Sequence, residues 1–368
     1  AVVQVSTAAF GTPPAARLTV AGVPLAVGEP PYTARWPQRD ILAAIARDAA
    51  GREVTLSVVP NHPFFSPSNF RYYSTRDGRR IHVARAWDEA PVGVDYMVLK
   101  TGDVGPAFTA ERPRRVAERL AGDPHLARVY PVLAEFPLPD GSTATVRARR
   151  IPEVALPPAA VAEAVEAAVL GGLAPVARDV VGLEVRLGYD REILAGRLRR
   201  VEIRAAAATV GDFRRDRTPL RVRDLRLVFE DVLVNPLSAV AERRLDPLDV
   251  SRVRLERVTV AADDLLTFLR GQKAFRQARV RLGPGTITLE LPQRGPDVHA
   301  RVRLEPAPDR PFVLVSDGVA VGGVPVPGPL VDWIMRHYDP SRALAARAPF
   351  DMAIAPVRIE PDAVRIGE

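Results

Sequence analysis

The chain has 368 residues, 47% hydrophobic and 26% charged, which is enough apolar material for the cores of two domains and excludes a disordered polypeptide. It contains no cysteine, which rules out disulfides and thiolate metal sites, and no run of about 20 apolar residues that would cross a membrane as a helix. The net charge of +7 comes almost wholly from arginine, Lys100 and Lys273 being the only lysines. Because the arginines alternate with Asp and Glu along strands, the bias reads as genomic composition or heat tolerance, and nucleic acid is not expected as a partner.

Residues 1–30 read as an extended, proline-punctuated lead-in, and Ala1 in place of an initiating Met suggests a processed precursor or a trimmed chain. From 31 to 151 helices and apolar strands interleave, which predicts a small α/β, Rossmann-like domain. Trp36, Ile41, Leu42 and Ile45 recur at helical spacing before Gly51. Val54–Pro60, Ile81–Ala86 and Asp95–Gly102 read as strands, Glu111–Pro124 as an amphipathic helix, and the turn Pro139-Asp140-Gly141 as the centre of a hairpin.

Residues 152–160, with three prolines in Ile151–Ala160, are the expected linker. Beyond them, over 161–368, an Ala-rich helix (Val161–Leu170) is followed by long strands. Two helices punctuate the strands: Ala262–Phe275, capped by Asp263 or Asp264, and Pro327–Asp339. The fold class predicted is therefore α+β in two domains, the second a long curved antiparallel sheet wrapped on a few helices. In this half each strand has a dry and a wet face: Leu198, Val201, Ile203 and Ala205 oppose Arg200, Glu202 and Arg204, with a bulge near Arg199 and Arg200. Val222, Leu225, Leu227 and Phe229, and Val253, Leu255, Val258 and Val260, repeat the pattern. Three short helices cover such a surface only in part, so the dry face meets either a packed core or a ligand.

The loop PNHPFFSPSNFRYYSTRDG, after a strand's carboxyl end, gathers Asn61, His62, Asn69, Arg71 and Tyr73, and with Lys100 it forms a candidate site for a lipid headgroup or sugar phosphate. The simpler alternative is a structural loop whose aromatics fill the core. There is no G-x-S-x-G or H-E-x-x-H, and the five histidines never fall at i, i+3 or i, i+4. No catalytic residue, cofactor or metal site is assigned.

In the second half, the ordered phrases "LRRVEIRA", "PLRVRDLRLVFEDVLV", "VRLERVTVAADDLLTFL", "GTITLEL", "GVAVGGVPVPGPLVDWI" and "APVRIEPDAVRIGE" resemble the LmeA-like phospholipid-binding family of the tubular lipid-binding (TULIP) superfamily. The resemblance implies a TULIP-like fold holding a phospholipid or polyprenyl-type lipid, at a membrane surface and outside the cytoplasm. The implied groove is lined by Val201, Ile203, Val222, Leu225, Leu227, Phe229, Val253, Leu255, Leu266, Phe268, Leu269, Phe275, Ile287, Leu289, Trp333 and Ile334. In the first half, "VPNHPFFSPSNFRYY", "DYMVLKTGDVGP" and "FPLPDGSTATVRARR" are similar to the soluble tail of bacterial dolichyl-phosphate-mannose-type glycosyltransferases. Three alternatives to a lipid carrier stay open: an accessory tail of such a transferase, a cell-envelope phospholipase, and a ligand-free scaffold.

Overall fold

A computed structural model describes residues 19–20, 23–24, 34–85, 91–211, 213, 219–271, 275–291, 297–307, 310–337 and 351–367. The architecture is mixed α+β in several sheets, with no closed barrel among the described residues. Of the expected lead-in, only a short hairpin is described: β1 (Thr19–Val20) and β2 (Val23–Pro24).

The first half runs α1 (Gln38–Ala49), β3 (Val54–Val58), α2 (Pro67–Arg76), β4 (Ile81–Arg85), β5 (Tyr96–Lys100), α3 (Ala107–Gly122), α4 (Pro124–Val129), β6 (Val132–Pro137) and β7 (Thr143–Ala148). Its sheet has the order β4-β3-β5-β7-β6, with β3 parallel to both β4 and β5 and the β6–β7 hairpin joined antiparallel to β5. Strand alternation sends Leu56, Val58, Tyr96 and Val98 toward Ile41, Leu42, Ile45 and Phe70, on α1 and α2. Met97 faces the other way, toward Val116, Leu120, Leu126 and Val129 on α3 and α4.

Two helices differ from the sequence expectation. α2 occupies what read as a Pro-rich loop, because Pro67 sits in the first turn, where a missing N–H costs nothing, and Ser66 with Asn69 forms a capping box. α3 begins before Glu111 and carries Pro113 inside it.

The second half opens with α5 (Pro158–Leu173), which starts inside the expected linker on another first-turn proline. It continues through β8 (Ala177–Val181), β9 (Glu184–Gly188), a 3-10 turn at Arg191–Ala195, β10 (Arg197–Val210), β11 (Leu220–Val234), α6 (Pro236–Glu242), β12 (Pro247–Ala261) and α7 (Ala262–Gly271). Then come β13 (Arg279–Gly283), β14 (Thr286–Leu291), β15 (Val298–Ala307), β16 (Arg310–Val321), β17 (Val324–Pro325), α8 (Gly328–His337), β18 (Asp351–Ile354), β19 (Val357–Ile359) and β20 (Ala363–Ile366).

The strands divide into two sheets rather than one. The larger has the order β19-β20-β12-β11-β10-β8, with β9 on β10 and β18 on β12, and the smaller runs β13-β14-β15-β16-β17. Nor is the larger sheet wholly antiparallel, since β18 returns to pair in parallel with β12. α7 starts at Ala262 with Asp263 and Asp264 in its first turn, where they complement the helix dipole instead of serving as the cap.

The two halves share one apolar cluster. Leu233 and Leu248 of the larger sheet pack with Met97, Val116, Leu120, Leu126 and Tyr130 of the first half. Around it, Arg244 pairs with Asp123 (2.5 Å), Arg119 with Asp246 (3.2 Å), and the Gly93 N–H donates to the Leu248 carbonyl (2.8 Å).

Candidate functional site

Three long strands, β10, β11 and β12, carry the dry face, and their register aligns its residues in rows. Val201 stands opposite Phe229 and Phe229 opposite Val253; Ile203 stands opposite Leu227 and Leu227 opposite Leu255. Strict alternation would keep these residues in line for only part of each strand. Instead the buried side chains step by three at matched places: Leu198 to Val201 in β10, Phe229 to Val232 in β11, and Val250 to Val253 in β12. A second step joins Val222 to Leu225 and Leu255 to Val258.

At both steps β11 places an aspartate with left-handed backbone, Asp231 (φ 49°) and Asp224 (φ 52°). The β10–β11 ladder omits those two positions and resumes in the same register. Each step keeps the apolar residues on one side of the sheet.

Cover over this face is uneven. α5 closes one end, with Val161, Val165, Ala168 and Val169 packing on Val201, Ile203 and Val253, all of them buried. Val222 is buried at the far end of the face. Between them Leu225, Leu227, Phe229 and Leu255 are only half-buried. α7 packs against β11, β12 and β13 with none of its own residues buried; its Leu266, Phe268 and Leu269 are half-buried. Phe275, past the helix end, and Ile287 and Leu289, on β14, are also half-buried, and Trp333 on α8 is 53% exposed. The Ile334 side chain lies outside the described residues.

The opposite face is ionic. Glu202, 6% exposed, accepts hydrogen bonds from Arg204 (2.6 Å), Arg226 (2.7 Å) and Arg200 (3.1 Å). Burial alone pushes its carboxyl up, but the Arg204 and Arg226 hydrogen bonds and their charge bring it down to about 2. Glu256 and Glu230 extend the lattice through Arg254 (3.4 and 2.6 Å). Val228, paired with Glu202 on one side and Arg254 on the other, is fully buried among these long side chains.

In the first half, a cleft of about 470 Å³ opens where the chain leaves β3 and enters α3. It collects Asn61 and Arg71 from the predicted loop and adds Phe108, Arg112 and Arg115 of α3, which the sequence reading did not assign. The other loop residues are engaged elsewhere. His62 packs on Trp36, with ring centroids 5.0 Å apart, and its Nε2 lies 3.8 Å from Asp103. The Asn69 side chain accepts the Ser66 N–H (2.8 Å), and Tyr73 lies under the Arg76 guanidinium (4.8 Å).

Lys100 does not line the cleft, because its buried ammonium pairs with Asp140 (2.6 Å) at the hairpin turn. Burial raises the Asp140 carboxyl, but hydrogen bonds from Lys100 and Ser142 hold it at about 2. Sequence spacing places Arg112 and Arg115 one turn apart; only the parallel β3–β5 pairing brings that turn to the end of β3.

Among the described residues there is no cluster of His, Asp and Glu able to hold a metal ion and no helix long and apolar enough to cross a membrane. Searches of curated proteins and of solved structures return no significant match. A model of the LmeA-like phospholipid-binding family matches residues 159–367, whereas the likeness of the first half to a glycosyltransferase tail finds no support in these comparisons. The matched segment contains the whole dry face and more than half of the chain, and on that ground the protein belongs to the LmeA-like phospholipid-binding family.

Proposed function

We propose that this protein carries one phospholipid or polyprenyl-type lipid outside the cytoplasm, with an acyl or prenyl chain lying across the middle of the dry face. The observation that carries the reading is the half-buried row Leu225, Leu227, Phe229 and Leu255, which lies between a packed end under α5 and α7, a helix none of whose own residues is buried. Covering such a row removes apolar surface from water, at about 0.8 kcal/mol for each CH₂ buried. A net charge of +7 favours approach to an anionic membrane. The extracytoplasmic location and the polyprenyl option rest on the sequence resemblance alone.

Native mass spectrometry of the purified chain tests the reading. The expected spectrum shows one lipid per chain, exchangeable for a fluorescent phospholipid. A lipid-free protein that also fails to take up the fluorescent lipid overturns it, and release of free fatty acid would assign the same face to a phospholipase.

A further inference from the structure

The cleft of the first half lies outside the segment matched to the lipid-binding family and is separate from the dry face. Its frame is rigid for local reasons. The Asn61 N–H donates to the Val104 carbonyl (2.8 Å), tying the loop after β3 to the loop after β5. Gly105, at φ 124°, passes so close to Asn61 that a Cβ would lie 2.5 Å from its carbonyl oxygen, so only glycine permits the approach. The Asn61 side-chain amide reaches Thr109 (3.4 Å) on α3. Two parallel strands whose following helices lie on opposite faces thus present their carboxyl ends to one opening, the place where α/β sheets bind ligands.

The electrostatics of the lining favour an anion. Among the described lining residues the cations are Arg71, Arg112 and Arg115 and the carboxylate is Glu111, which sits 3.8 Å from Arg115. Arg71 donates one bond from its Nη2 to the Val83 carbonyl (3.2 Å), which fixes the guanidinium at the rim and leaves its other N–H groups to face the cleft. α3 has neither a side-chain cap nor an acidic residue in its first turn, so its dipole adds positive potential to that of the guanidiniums. Phe108, 88% exposed, stands at the same mouth and offers an apolar surface beside the charges. Planar guanidiniums suit the oxygens of a phosphate, and a neighbouring ring suits the carbon skeleton it esterifies.

We propose that this cleft is a binding site for a phosphate ester, bound by Arg71, Arg112 and Arg115 with Phe108 against its organic part. The ester is either a soluble phosphate or the headgroup of a membrane phospholipid; both present the same phosphate oxygens.

Titration of the full chain with inorganic phosphate, glycerol 3-phosphate and phosphatidylglycerol vesicles, followed by calorimetry and vesicle co-sedimentation, tests the assignment. Glycerol 3-phosphate is expected to bind more tightly than inorganic phosphate, with affinity falling as salt rises. R112Q/R115Q is expected to weaken binding at least tenfold, and F108A to remove the preference for the ester over inorganic phosphate. Binding confined to the vesicles but equally sensitive to R112Q/R115Q assigns the headgroup as the source and supports the site. No binding of any probe, or binding that R112Q/R115Q leaves unchanged while circular dichroism shows a native fold, overturns it. Uptake of fluorescent lipid by the dry face, measured on the same variants, is expected to be unchanged, so failure of either site is read separately.

Discussion

Asp231 interrupts the pairing of β11 with β10 opposite Arg199, and it does so with a left-handed backbone. Aspartate tolerates that conformation better than most residues, and a β-branched side chain tolerates it worst. Asp231→Val is therefore expected to destabilise the chain by about 1–3 kcal/mol. Asp231→Gly, which meets no steric penalty at positive φ, is expected to stay within about 0.5 kcal/mol of the parent. Urea unfolding of the two variants checks the pair; equal losses would place the effect in the aspartate side chain and not in its backbone.

The same strand shows what the sequence can and cannot convey. Val222, Leu225, Leu227 and Phe229 are spaced by three, two and two, and the irregular first step is where Asp224 takes positive φ. The dry face was legible because burial writes itself into local spacing. Which part of that face is packed was not, since α5 reaches Val201 and Val253 only through the tertiary fold. The smaller sheet escaped notice because hairpin strands such as β13 and β14 look alike whichever sheet they join. α6 was hidden in a short Asn-Pro segment between two strands, where Asn235 caps it through the Leu237 N–H. In the cleft, Arg112 and Arg115 were legible as helix residues and not as neighbours of Asn61, a relationship that the parallel pairing of β3 and β5 creates.

Glu202 makes part of the stability dependent on pH. Its carboxyl titrates at about 2 in the folded chain against an ordinary value of 4.5, so the folded state binds the proton less readily than the unfolded one. The contribution is complete above pH 4.5 and declines as pH falls from there toward 2. Glu202→Gln is expected to cost about 1–2 kcal/mol at pH 7, since three guanidiniums lose their shared carboxylate, and to flatten the acid limb of the stability curve. Thermal melts between pH 2 and 7 measure both effects.

Leu248 couples the two halves. It is fully buried in the cluster that joins the larger sheet to α3 and α4, and its backbone carbonyl accepts from both Gly93 and Arg149. Leu248→Ala keeps those backbone bonds and opens a cavity, for an expected loss of about 2–4 kcal/mol. Hydrogen exchange is expected to accelerate in α3 and α4 as well as in β12. Acceleration restricted to β12 would mean that the halves unfold independently.

Leu225 and Leu227 separate a lipid-binding face from an ordinary core. If the middle of the dry face is space for a hydrocarbon chain, Leu225→Trp and Leu227→Trp fill it with protein. Uptake of fluorescent phospholipid is then expected to fall at least tenfold while the melting temperature holds or rises, because each indole covers apolar surface that the half-buried row leaves open. A core already closed would respond in the opposite way, as overpacking costs about 1–3 kcal/mol. Val201→Trp provides the internal contrast: Val201 is 4% exposed beneath α5, so a large ring there is expected to destabilise the chain whether or not lipid is bound. Melting curves of the three variants, read beside their lipid uptake, locate the boundary between packed core and binding surface along the same sheet.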